Sequence, residues 1–164
     1  MTDAELVEQV QILLDAQVAA DRFSGAVLVA RENQPILATA RGYAIHPNVL
    51  PNQPDTKFNI ASVTKMLTAV AVMQLVANGK LDLHMPVSAY NRDLPHADEI
   101  TIHQLLTHTA GFDRYWNDAY RAARSDLRTV VDYLKLFATT PLEFSPGTRH
   151  HYGNTGYVVL GALI

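Results

Sequence analysis

The sequence predicts an α/β chain in which one helix and two antiparallel strands are followed by helices alone. Three observations carry that prediction. Apolar residues recur at helical spacing over Asp3 to Ala20, two short and partly β-branched runs follow, and each later apolar run has helical length or spacing.

In the first segment Leu6, Val10, Leu13, Leu14 and Val18 form the apolar stripe, with acidic residues early in the segment. Phe23 to Ala30 and Ile36 to Tyr43 read as the strands of a hairpin, separated by Arg-Glu-Asn-Gln-Pro. Pro47, Pro51 and Pro54 make the next stretch a loop. Ala61 to Ala77 is apolar on nearly every face, so this helix is expected to be buried all round, with Asn78-Gly79 as its stop. Ile100 to Thr107 and Leu127 to Phe137 read as helices, Pro141 to His150 as a loop, and Tyr152 to Ile164 as the start of one more helix. The expected division is 1–60, a helix and hairpin, and 61–164, a helical lobe.

Thirteen basic and sixteen acidic residues give a net charge of −3 with no basic run, so nothing in the charge favours nucleic acid or an anionic membrane. The longest nearly apolar run, Met66 to Ala77, is interrupted by Thr68 and Gln74. It is shorter than the ~18 residues that a membrane span requires. MTDAELVEQV lacks the features of a signal peptide. The expectation is a cytoplasmic protein if Met1 is the native start, and a periplasmic or secreted one if a leader has been removed. The absence of cysteine excludes thiolate chemistry and cysteine zinc sites.

Chemistry concentrates in Phe58-Asn59-Ile60-Ala61-Ser62-Val63-Thr64-Lys65. Residues three apart on a helix share a face, so the Ser62 hydroxyl and the Lys65 amine can meet. A serine hydroxyl is a poor nucleophile until a neighbour takes its proton. A lysine can be that neighbour only where its surroundings disfavour the charged form, and an apolar helix together with the positive end of its dipole would do so. The spacing alone is weak, because an N-cap serine followed by a surface lysine looks the same.

The surrounding text is more specific. Ser62-Val-Thr-Lys65 running into LTAVAVMQLVANGKLDL resembles the active-site helix of the serine β-lactamase-like and penicillin-binding-protein-like family. The similarity is greatest to class C β-lactamases, D-Ala-D-Ala carboxypeptidases and related esterases. That family places a Tyr-x-Asn motif opposite Ser-x-x-Lys. The pattern occurs here as Tyr115-Trp116-Asn117 and as Tyr152-Gly153-Asn154. The second has a small middle residue and family-like flanks, Phe144-Ser-Pro-Gly-Thr148 and Gly156-Tyr-Val-Val-Leu-Gly161, and is the better match. A third block, Ile100 to Phe112, is similar to the family's His-Thr-Ser-Gly-Leu region and departs from it at Ala110 and Phe112. It reads as scaffold, a helix ending in a glycine turn. His103 and His108 stand about 140° apart on a helix, so no metal site is expected and no cofactor is implied.

The resemblance implies a β-lactamase/transpeptidase-like fold, an antiparallel sheet plus a helical lobe, here truncated before the C-terminal strands. It implies a serine hydrolase forming an acyl-enzyme on Ser62. Lys65 would be the base, Tyr152 would help deprotonate Ser62 and later protonate the leaving group, and Asn154 would bind Lys65 and the substrate amide. The substrate would be a β-lactam, a D-amino-acid peptide or a small ester, with Tyr115 or Trp116 on the rim of its pocket. The family's third motif, Lys-Thr-Gly or His-x-Gly, does not occur in these residues, so the 164-residue chain alone is expected to be inactive. The rival reading is a non-catalytic relative, or an inactive fragment used for binding. A complementing C-terminal segment, or a dimer through the open sheet edge, is the expected partner besides substrate.

Overall fold

Thr2 sets the start of α1 (Asp3–Ala19): its hydroxyl accepts from the Glu5 amide while the Glu5 carboxylate accepts from the Thr2 amide, a reciprocal cap. The computed structural model describes residues 1–45 and 49–164. Their contacts divide them into two compact units, Met1–Asn59 and Ile60–Ile164.

In the first unit β1 (Gly25–Arg31) and β2 (Gln34–Arg41) pair antiparallel from Gly25↔Arg41 to Arg31↔Gln34. Glu32 and Asn33 turn the chain with φ of 48° and 63°. Two left-handed residues match the twist of the strands they join. The register shifts between Val29 and Ala30, opposite Pro35, where a missing ladder donor is tolerated. Helix α1 packs on β2, burying Leu14 and Leu37. Asn52 ties the hairpin's end, its amide donating to Ser24 Oγ and to the Arg41 carbonyl, each at 2.9 Å.

The stretch expected as a proline loop contains a second short antiparallel pair, β3 (Tyr43–Ile45) with β4 (Leu50–Pro51). A two-stranded pair leaves each strand an outer edge, where proline's lack of an N–H is harmless. Pro54 does lie in a turn, and Pro47 is outside the described residues.

The second unit is helical. A 3₁₀ turn at Ala61–Val63 leads into α2 (Thr64–Ala77), which Asn78 caps before Gly79 reverses the chain at φ 68°. Then come α3 (Ile102–Leu106), α4 (Asp118–Ala123), α5 (Val130–Lys135) and α6 (Thr155–Leu163). Helix α6 packs against α2, α3 and α5. Its Val159 and Leu160 close a core that includes Val72, Ile102, Leu105 and Phe137. Truncating fully buried Leu105 or Leu160 to alanine would cost about 2–5 kcal/mol.

Two expectations are corrected here. Helix α2 is not buried all round: Val72 is buried, whereas Met66, Leu67 and Val70 are 63%, 62% and 55% exposed. Apolar composition sets how much surface a helix can bury, not how many partners it meets, and α6 is the helix packed along α2. Nor does α3 end on a glycine. The residue after its Thr107 cap is His108, left-handed at φ 58°, with Thr109 N–H reaching back to the Gln104 carbonyl at 2.9 Å. Gly111, at φ 89°, serves a different need, because a Cβ there would lie 2.2 Å from the Phe144 carbonyl oxygen.

Candidate active site

Ser62 sits in the 3₁₀ turn and Lys65 in the first turn of α2, so the short spacing brings the two side chains to one side. Ala61, just before Ser62, is held at φ 45°, a conformation costly for a residue bearing a Cβ. The Lys65 amine donates to Ser62 Oγ at 3.1 Å and to Asn154 Oδ1 at 2.7 Å. Asn154 is the N-cap of α6, yet its side chain makes no capping bond. Its oxygen serves Lys65 instead. The cap position thereby fixes a backbone while releasing a polar group to the site.

Tyr152 joins the same cluster. Lys65 Nζ lies 4.9 Å from the centre of its ring, and 5.8 Å from that of Tyr157. Hydrogen bonding from Ser62, then from Lys65, holds the Tyr152 phenol below its usual range. Donors directed at a phenol oxygen favour the phenolate. The structure thus brings Ser62, Lys65, Tyr152 and Asn154 together, all within the second unit.

The apolar surroundings expected around Lys65 are only partial. Lys65 is half-buried, on the first turn of a helix with much of its surface exposed. Its amine meets the Asn154 amide oxygen and two aromatic faces.

Tyr115 and Trp116 occupy different environments. Tyr115 is buried, packed edge-on against Tyr120 and Tyr133, and burial raises its phenol above the ordinary value. Trp116 is exposed and stacks on Tyr120. Both line a cleft of about 260 Å³ with Arg114, Tyr152, Gly153 and Asn154.

Sequence reasoning missed His108 and Tyr157. The His108 ring stacks on Tyr157 at 5.1 Å and tilts against Tyr152 at 4.5 Å. His103 instead stacks on His84, so the two histidines weighed as a metal pair face different neighbours. The usable signal was the left-handed stop of α3: without a glycine directly after the helix, His108 is the residue that must bend the chain.

The beta-lactamase family model matches residues 10–164. Esterase EstB of Burkholderia gladioli is 35% identical over 98% of this chain and 45% of its own length. Among solved structures, EstCE1, a hydrolase with promiscuous acyltransferase activity, superposes with a TM-score of 0.83 at 31% identity. That match covers 98% of this chain and 46% of EstCE1. The penicillin-binding protein of Bacillus halodurans superposes with a TM-score of 0.77 at 35% identity, over 92% of this chain and 48% of that one. The chain spans about half the length of the relatives it matches. Its helical lobe and antiparallel strands have the β-lactamase/transpeptidase-like α/β fold of those structures. With a matched segment of that extent and relatives of that similarity, the chain belongs to the beta-lactamase family.

Proposed function

We propose that the protein is a serine hydrolase that acylates Ser62, with Tyr152 taking the serine proton and Lys65 acting as its charged partner. The observation that carries this reading is the convergence of Lys65 Nζ on Ser62 Oγ and Asn154 Oδ1, beside a phenol whose proton is already loosened. Lys65 donates to Ser62 Oγ, so the serine's own proton is free to point at the Tyr152 oxygen. Ser62 Oγ attacks the substrate carbonyl carbon as that proton passes to the phenolate. The new phenol then protonates the leaving group as the tetrahedral intermediate collapses. Hydrolysis of the acyl-enzyme runs the same transfers in reverse, with water as the nucleophile. The N-terminal end of α2, which begins two residues after Ser62, supports this reading because its positive dipole end favours negative charge nearby.

The aromatic cleft beside Tyr152 and Asn154 suits the apolar part of a small ester or of a D-amino-acid or β-lactam amide, with Trp116 as its exposed wall. Similarity to an esterase over nearly the whole chain favours the ester. The test is covalent labelling of the protein made from its complete reading frame. A fluorophosphonate should modify the peptide containing Ser62, and Ser62→Ala should abolish the label. Undiminished labelling of Ser62→Ala would end the assignment.

A further inference from the structure

The scaffold block Ile100 to Phe112 places one titratable ring against the Tyr-x-Asn turn, and nothing in the acylation steps above uses it. His108 makes three kinds of contact there. Its ring lies between those of Tyr152 and Tyr157, at 4.5 and 5.1 Å. The Gly153 N–H points at its Nδ1 across a long 3.5 Å hydrogen bond. Its carbonyl accepts the His151 amide at 2.8 Å. The ring and backbone of one residue therefore hold both sides of Tyr152. His108 also sits at φ 58°, a conformation that side chains occupy at a cost and that is kept where the surrounding structure requires it.

Building on the serine-hydrolase reading, we infer that His108 is a positioning residue that holds the Tyr152–Asn154 turn against Lys65 only while its imidazole is neutral. An N–H donor directed at Nδ1 needs a lone pair there, which fixes the neutral tautomer with its proton on Nε2. Protonation removes that lone pair and sets a positive charge among groups that already repel it. His150 meets the ring edge-on at 5.9 Å, and Lys65 lies over the faces of both tyrosines that flank His108. Tyr152 and Tyr157 are the remaining titratable groups in contact, and His151 next in the chain is engaged by Glu143 at 2.6 Å. Burial, then His150, then Lys65 hold His108 below the usual histidine range, so it is neutral at pH 7 and above. As pH falls through that lowered value the turn loses its anchor, and acylation falls with it.

Two measurements on the protein from its complete reading frame separate this inference from the reading it rests on. Nitrogen-15 NMR of the histidine rings should show His108 as the Nε2–H tautomer, and the Gly153 amide should shift in step with its protonation. Burst acylation by a p-nitrophenyl ester, which already falls with pH as the Tyr152 phenolate is lost, should steepen by about a further tenfold per pH unit below the same midpoint. His108→Asn keeps an acceptor near Nδ1, tolerates the left-handed backbone and cannot titrate. It should remove both the Gly153 step and that added steepening, leaving the shallower Tyr152 dependence, while retaining acylation at pH 8. A Gly153 amide indifferent to His108 protonation, or an acid limb unchanged in His108→Asn, overturns the inference. A Gly153 step present in a protein that acylates nothing supports the coupling and refutes the hydrolase.

Discussion

Lys65 and Asn154 stand 89 positions apart in sequence, and their side chains meet at 2.7 Å. The contact joins the first turn of α2 to the first residue before α6, two helices that pack directly. Its direction matters. The amine donates and the amide oxygen accepts, so Asn154 holds the Lys65 amine beside Ser62 and Tyr152.

Lys65→Arg is therefore expected to abolish acylation with the fold intact. A planar guanidinium fork cannot place one nitrogen on both Ser62 Oγ and Asn154 Oδ1 as the Lys65 amine does. The expected loss is about 10²–10⁴-fold in acylation rate, with an unchanged circular dichroism spectrum. A wild-type rate from Lys65→Arg would remove lysine from the mechanism.

The Tyr152 phenol yields a prediction with a definite sign. Its folded-state pKa is lowered by hydrogen bonds from Ser62 and Lys65, so the phenolate, the form that accepts a proton, gains population at a pH below that of a free tyrosine. Any stability from the shift is present at alkaline pH and fades as pH falls through the lowered value. Acylation should rise with pH toward that value and then level off, and Tyr152→Phe should remove the rise together with about 10²–10⁴ of the rate. Phenol titration by ultraviolet difference spectra, compared with burst rates, decides it. An unchanged profile in Tyr152→Phe would assign the proton to another group.

Two glycines near the site should respond oppositely to a methyl group. At Gly111 the left-handed φ of 89° and a Cβ 2.2 Å from the Phe144 oxygen leave no room, and its carbonyl also receives the Glu143 amide at 2.8 Å. Gly111→Ala should lose at least ~2 kcal/mol of stability, read as a lowered denaturation midpoint. Gly153 has nothing within 4 Å of such a Cβ. Gly153→Ala should fold and acylate normally. Equal effects at the two positions would contradict the geometry.

Much of this was legible in the sequence because it is local. The capped stop of α2, the hairpin and the pairing of Ser62 with Lys65 each depend on a few adjacent residues, although the hairpin connection is Glu32-Asn33 alone rather than the five residues between the expected strands. Tyr152-Gly-Asn154 could be preferred over Tyr115-Trp-Asn117 on its flanks, and the fold brings the preferred copy to Lys65 while Asn117 caps α4. What was illegible depends on partners distant in sequence. The exposure of α2 is decided by which helices reach it. The role of His108 is decided by Tyr152, Gly153 and Tyr157, some 45 residues later, so its block read as scaffold. The β3–β4 pair is hidden in the sequence because prolines read as loop markers, although an edge strand admits them.

The outward face of α2 carries the last prediction. Met66, Val70 and Met73 follow one another at helical spacing, Leu67 lies beside them, and these side chains are 45–63% exposed. A contiguous apolar stripe of this kind is unusual on a monomer's surface and favours association. In the other unit β1 and β2 form a two-stranded sheet, and Leu28 on β1 is 66% exposed. Each strand thus keeps one edge without a ladder partner among the described residues. Residues 1–164 produced alone should therefore self-associate, and Met66→Lys with Val70→Lys should lower the oligomer fraction, because a lysine at either position can keep its charge in water only in the monomer. Light scattering behind size exclusion, with dye binding to exposed apolar surface as a second readout, measures both. A stable monomer that binds no dye would mean that this stripe does not drive association.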